Sequence, residues 1–102
     1  MNEPPSKDFF SCRLSTPELQ KRKQTLIANL KALMIRHREL ENGMEYAFDT
    51  SDMTIDILAD FIKTERRCCD FFCFRVRVES TNATLSITGP LGSKEFLRDL
   101  FS

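Results

Sequence analysis

The amino-acid sequence predicts an α+β protein: a long N-terminal helix, then a β-α-β-β-α order with a small three-stranded sheet covered by helices. Leucines spaced seven residues apart in the N-terminal half indicate the helix, and later segments that alternate apolar and polar residues indicate strands. The length of 102 residues suits one domain, and nine phenylalanines predict an aromatic-rich core. We expect an N-terminal arm at residues 1–14 and a single domain at residues 15–102.

The first predicted helix begins at a capping signal and ends at an Asn-Gly pair. Ser15-Thr16-Pro17-Glu18 combines a capping box with a proline in the first turn, and Asn42-Gly43 supplies a left-handed stop. The apolar stripe between these signals consists of Leu19, Leu26, Ile27, Leu30, Leu33, Met34, His37 and Leu40. This spacing predicts one amphipathic helix from residue 15 to residue 42, with the only histidine on its stripe.

The remaining elements follow from alternation and capping. Strands are predicted at residues 44–49, 72–79 and 83–88, with helices at 52–69 and after Ser93. The first two predicted strands are joined through a helix, so we expect them to run parallel with a right-handed crossover. The last two form an antiparallel hairpin. Their order in the sheet stays open, and one arrangement places strand 83–88 between the other two.

Composition excludes several classes of protein. Fifteen basic and fifteen acidic residues give no net charge, which argues against nucleic-acid binding through bulk electrostatics. No apolar run reaches the roughly 20 residues of a membrane span, and the N-terminal residues do not have the pattern of a signal peptide. We therefore expect a cytoplasmic protein without a membrane partner, whose four cysteines stay reduced and serve a metal, redox chemistry or packing.

Two adjacent cysteines end the apolar face of the predicted helix 52–69. Eleven residues make about three helical turns, so Cys68 falls below Ile57 and Cys69 falls below Leu58. Glu65 lies on the same face, so one turn presents a carboxylate and two thiols to the interior. Vicinal thiols suit thiophilic ions, namely mercury(II), arsenite, copper(I) and zinc. A soft-metal or metalloid site at Cys68 and Cys69 is therefore one hypothesis.

Other cysteines and charges extend this hypothesis. Cys12 can supply a third ligand, and Arg66 can favour the thiolate form, although the negative end of the helix dipole opposes it. Cys73 is a possible extra thiol, but it alternates with Phe72 and Phe74, and the spacing is not that of paired C-x2-C knuckles. The sequence thus favours three thiols over four.

Several alternatives stay open for the same residues. Cys68 and Cys69 can be inert packing residues, or a redox sensor that switches between Cys12 and the pair. Glu65 requires a partner if it is buried, for example an arginine of the first helix, or it can serve as a cap. With His37 as the only histidine, no hydrolase triad can be assembled, so an enzyme is not predicted.

Three further interpretations concern partners and ligands. The leucine stripe of the first helix can pack against a second copy, which would make the protein a homodimeric interaction module. Arg75 and Arg77 near Phe71 resemble a surface for single-stranded nucleic acid, but the alternating phenylalanines of this strand indicate core. Gly89-Pro90-Leu91-Gly92 before Ser93 fits a plain turn better than an anion site.

The combination of motifs resembles a family of small bacterial proteins to which no reaction is assigned. The family has an E-R-x-C-C-x-F motif and a later G-P-x-G before a terminal helix, here Glu65–Phe71 and Gly89–Gly92. Its early C-x-L corresponds to Cys12-Arg13-Leu14, and the resemblance extends over nearly the whole chain from Cys12. Asp70 stands where the family has proline, and Cys73 has no counterpart. The resemblance implies that Cys12, Glu65, Cys68 and Cys69 act as a unit.

Overall fold

The computed structural model describes residues 16–102 and confirms the α+β class. The elements are α1 (Pro17–Leu33), β1 (Arg36–Leu40), β2 (Gly43–Phe48), α2 (Asp52–Cys68), β3 (Cys73–Val78), β4 (Ala83–Thr88) and α3 (Ser93–Leu100). The predicted arm at residues 1–14, and Cys12 with it, lies outside the described residues.

The sheet has four strands in the order β1-β2-β4-β3, and each strand is antiparallel to its neighbours. Since β2 and β3 both pair antiparallel with β4, they point in the same direction, as the connection through a helix predicts. The arrangement with β4 between them is the one that the structure adopts. The prediction of three strands was wrong because β1 was missed.

The missed strand lies within the predicted first helix. α1 ends at Leu33, and Arg36–Leu40 pairs with Gly43–Ala47 across a turn at Glu41 and Asn42. An Asn-Gly pair can end a helix or turn a hairpin, and here the hairpin prevails because it pairs β1 with a buried strand. His37 is therefore an exposed strand residue, and its predicted place on a helix stripe was wrong.

Local signals explain the start of α2. The Ser51 hydroxyl accepts a hydrogen bond from the Thr54 backbone N–H at 3.2 Å, which caps the helix. The Asp49 carboxylate accepts hydrogen bonds from the Thr54 hydroxyl at 2.7 Å and from the Ser51 backbone N–H at 2.9 Å. These bonds lower the pKa of Asp49, with the bond from Thr54 as the largest cause. The chain therefore enters α2 at a fixed point beside β2.

The core lies between one face of the sheet and the helices. The inward residues of β2 and β4 are fully or almost fully buried and belong to the same apolar cluster as helix residues. These strand residues are Met44, Tyr46, Phe48, Ala83, Leu85 and Ile87. In α1, Leu26 and Leu30 of the predicted stripe are buried within the chain, whereas Leu19 is 37% exposed. A homodimer through this stripe stays a prediction. Among the helices of residues 16–102, none is long and apolar enough to cross a membrane.

Candidate metal centre

The last turn of α2 presents the predicted carboxylate and thiols to the interior. Glu65, Cys68 and Cys69 are each at most 1% exposed, and one ligand atom from each lies within 4.8 Å of the others. The Cys68 and Cys69 sulfur atoms are 3.6 Å apart. Cys69 ends the helix, and its backbone N–H donates to the Glu65 carbonyl oxygen at 2.6 Å. The helical register thus brings the three residues together as the sequence predicts.

A lysine of α1 completes the group. The Lys23 ammonium lies 3.4 Å from Glu65 Oε1 and 3.8 Å from Cys68 Sγ, and its side chain is 12% exposed. The contact with Oε1 is an ion pair without the geometry of a hydrogen bond. Oε1 is buried and has no hydrogen-bond partner among residues 16–102. The predicted need for a cationic partner on the first helix is met, but the prediction of an arginine was wrong.

Burial controls the protonation of the group. Burial raises the pKa of the Glu65 carboxyl, and the charge of Lys23 opposes this rise. Burial also raises the pKa of the Cys69 thiol to about 12, helped by the negative charge of Glu65 and opposed by Lys23. Cys69 is therefore a protonated, weakly nucleophilic thiol in this state. A metal cation bound here would oppose this rise in pKa, because it would stabilise the thiolate directly.

The cysteines differ in redox state. Cys68 is disulfide-bonded in this structure, whereas Cys69 and Cys73 are free thiols. A disulfide at Cys68 leaves its sulfur unavailable as a thiolate. Ligation of a metal by both members of the pair requires reduction at Cys68 first.

The remaining predicted residues lie outside the buried group. Cys73 is exposed on the sheet face that points away from the helices, as its alternation with Phe72 and Phe74 predicts. Arg66 is exposed, and its role beside the thiols stays a prediction. Cys12 lies outside the described residues, so its part in a three-thiol site also stays a prediction.

The role of Lys23 was missed, although the sequence carried a signal for it. Lys23 follows Leu19 by four residues and precedes Leu26 by three, so it lies on the apolar stripe of α1. A cation at such a position requires a buried anion opposite it, and Glu65 is the acidic residue on the facing stripe of α2. Pairing the charged residue on the apolar stripe of α1 with the acidic residue on the apolar stripe of α2 would have identified the ion pair.

The donor set of the group is compatible with a thiophilic cation once Cys68 is reduced. Its donors are two sulfur atoms and a carboxylate oxygen, and within residues 16–102 no group donates a hydrogen bond to the buried Glu65 Oε1. Sulfur-rich donor sets select soft ions, and a single carboxylate does not change that preference. Comparison of the chain with protein-family models, curated proteins and solved structures finds no match, so the family resemblance stays a prediction.

Proposed function

We propose that the reduced protein binds a soft metal or metalloid ion through Cys68 and Cys69, with Glu65 as a neighbouring carboxylate and Cys12 as a third thiol. The observation that carries the proposal is the buried convergence of three ligand atoms within 4.8 Å at the end of α2. Glu65 Oε1 supports it: among residues 16–102 this buried oxygen has an ion pair with Lys23 but no hydrogen bond, and metal coordination satisfies such an atom.

Lys23 belongs to the proposed site as a resident counter-ion. It neutralises part of the negative charge that Glu65 and the thiolates would carry in a water-poor place. An incoming cation therefore meets a site whose geometry is already held by an ion pair between α1 and α2. The ions that fit the donor set are mercury(II), arsenite, copper(I) and zinc.

Metal titration of the reduced protein tests the proposal. Cadmium(II) is a convenient probe, because its thiolate complexes absorb in the ultraviolet and the bound metal can be counted by mass spectrometry. We expect one ion per chain, and we expect Cys68→Ser or Cys69→Ser to abolish stoichiometric binding. Cys73→Ser is the matched control, because Cys73 is a free thiol outside the buried group. Equal loss in the Cys73 variant, or unchanged binding in the other two, would overturn the proposal.

A second function is favoured by the disulfide at Cys68. We propose Cys12, which the family resemblance groups with the pair, as the redox partner of the disulfide-bonded Cys68. In such a sensor two thiols reduce one hydroperoxide: the sulfurs join, the O–O bond breaks, and an alcohol or water and one water leave. The raised pKa of Cys69 makes it a poor attacking thiol, which supports Cys68 or Cys12 as the first to react.

Mass spectrometry distinguishes the sensor from a static disulfide. Mild hydroperoxide should remove two hydrogens from the reduced protein, and peptide mapping should join the peptides that contain Cys12 and Cys68. Cys73→Ser should leave this product unchanged. Overoxidation without a defined disulfide would exclude the sensor and leave the metal proposal standing. A disulfide that ordinary dithiols cannot reduce would exclude both functions.

A further inference from the structure

The sheet face that points away from the helices carries a shallow trough of about 850 Å3 bordered by arginines. Arg36 and Arg38 come from β1 at one edge, and Arg75 and Arg77 come from β3 at the other. We call this surface the arginine trough. The central strands β2 and β4 contribute small or polar floor residues, chiefly Glu45, Thr84 and Ser86. None of the described helices covers this face, because their apolar residues pack on the other side.

The strand register arranges the arginines in two rows. One row runs Arg36, Ala47, Thr84, Arg77 across the four strands, and the next runs Arg38, Glu45, Ser86, Arg75. The two edges are about 14 Å apart, from three strand spacings, and arginines on one strand are about 7 Å apart. All four arginines are exposed, so solvent and a ligand can reach their side chains.

Two of the arginines already hold carboxylates of the chain. Arg38 donates to Glu45 Oε1 from Nε at 3.2 Å and from Nη2 at 3.0 Å, and Arg77 pairs with Glu79 at 3.3 Å. Among residues 16–102, Arg36 and Arg75 have no carboxylate partner. The trough therefore has an excess of two positive charges at diagonally opposite corners, in a protein whose formal net charge is zero.

We propose that the arginine trough binds an extended acidic segment of a partner protein. Guanidinium groups match carboxylates through paired N–H donors. Within the trough, Arg38 donates two N–H groups to one oxygen of Glu45, and Arg77 makes a single contact with Glu79. Carboxylates two residues apart on an extended chain are about 7 Å apart, which is the spacing of the arginine rows. In the part of the chain that the structure describes, no aromatic ring lines the trough, and stacking on aromatic rings is how single-stranded nucleic acid is held.

The proposal is tested with a fluorescent ten-residue peptide of alternating glutamate and serine. Binding is measured by anisotropy at low salt on the full chain. We expect Arg36→Gln/Arg75→Gln to weaken binding on the order of ten-fold, because two exposed charge contacts are lost. The matched control is Lys21→Gln/Arg22→Gln, which removes two exposed positive charges from α1 and should leave binding unchanged. Circular dichroism of both variants verifies that they are folded.

A local readout comes from Cys73, a free exposed thiol on the same face as Arg75 and Arg77. Alkylation of Cys73, measured by peptide mapping, should become slower when the acidic peptide is bound. A control peptide with glutamine in place of glutamate should not change the alkylation rate. Tighter binding of inorganic tripolyphosphate or of a ten-residue oligothymidine would overturn the proposal in favour of a phosphate ligand. An equal loss of peptide affinity in the α1 control variant would show that the peptide is attracted by positive charge in general, which would overturn the proposal. Stronger binding after Glu3→Gln/Asp8→Gln would identify the chain's own N-terminal residues as the occupant and also overturn it.

Discussion

Replacing Lys23 with methionine tests whether its ammonium group keeps the buried Glu65 carboxylate charged. The two charged atoms lie 3.4 Å apart, and the side chains are 12% and 2% exposed. Methionine preserves most of the apolar stem that packs between α1 and α2 and removes the charge. Glu65 must then either stay ionised without a partner, which is costly, or take up a proton.

Proton uptake sets an upper limit to the cost. In the unfolded chain Glu65 has an ordinary pKa of 4.5, so protonating it at pH 7 costs about 3.4 kcal/mol, and at pH 5 about 0.7 kcal/mol. The wild-type carboxyl already has a raised pKa, so the difference between the proteins is smaller than these limits. We expect Lys23→Met to lower the free energy of unfolding by about 2–3 kcal/mol at pH 7 and by less than about 0.7 kcal/mol at pH 5.

The sign follows from linkage. In the variant the folded-state pKa of Glu65 lies further above its unfolded value, so its stability is retained below about pH 4.5 and lost as the pH rises. Urea unfolding followed by circular dichroism, at both pH values and one fixed redox condition, measures the effect. Lys21→Met, at an exposed position of the same helix, should change stability by less than about 0.5 kcal/mol. A Lys23→Met loss that is equal at both pH values, or undiminished in a Glu65→Gln background, would refute the reasoning.

Three other changes test the hairpin, the buried thiol and the α2 cap. Gly43→Ala should lower the free energy of unfolding by about 2–4 kcal/mol in a thermal denaturation, because an added Cβ collides with the Ile87 carbonyl oxygen of β4. A loss of less than about 0.5 kcal/mol would contradict this packing. The pKa of Cys69 is about 12 in the folded protein against an ordinary 9.0, so its contribution to stability is present below pH 9 and is lost at about 1.4 kcal/mol per pH unit above it. Cys69→Ala should therefore lose less stability per pH unit in this range. An identical dependence of unfolding free energy on pH in both proteins would contradict the assignment. Thr54→Val should raise the pKa of Asp49 toward 3.8 in an NMR titration, and an unchanged value would exclude the hydroxyl as the main cause.

The sequence predicted α2 and its thiol face because one geometric rule determines both. The Ser51 cap fixes where the helix begins, and the 3.6-residue period then places Glu65, Cys68 and Cys69 on the buried side. Cys73, four residues beyond Cys69, does not follow the helical period, because α2 has ended before it. It lies in a strand, where side chains alternate between the two faces.

The sequence could not predict β1 because its local signals favour no strand. Arg36–Leu40 contains no β-branched or aromatic residue, and Leu40 continues the seven-residue spacing of α1. What makes it a strand is its hydrogen-bonded neighbour β2, a tertiary partner that propensity does not include. The arginine trough could not be predicted for the same reason, because Arg36 and Arg38 lie on the same sheet face as Arg75 and Arg77 only when β1 is a strand.

The sheet divides the cysteines into two chemical settings. Cys68 and Cys69 are buried on the helix side, whereas Cys73 pairs in register with Thr88 on the opposite face. A four-thiolate zinc centre would require β3 to leave β4 at this end, at the cost of ladder hydrogen bonds. The proposed metal or redox chemistry on the helix side would therefore proceed without Cys73. It also leaves Cys73 as an independent reporter of the arginine trough, so the two proposed sites can be tested separately in one protein.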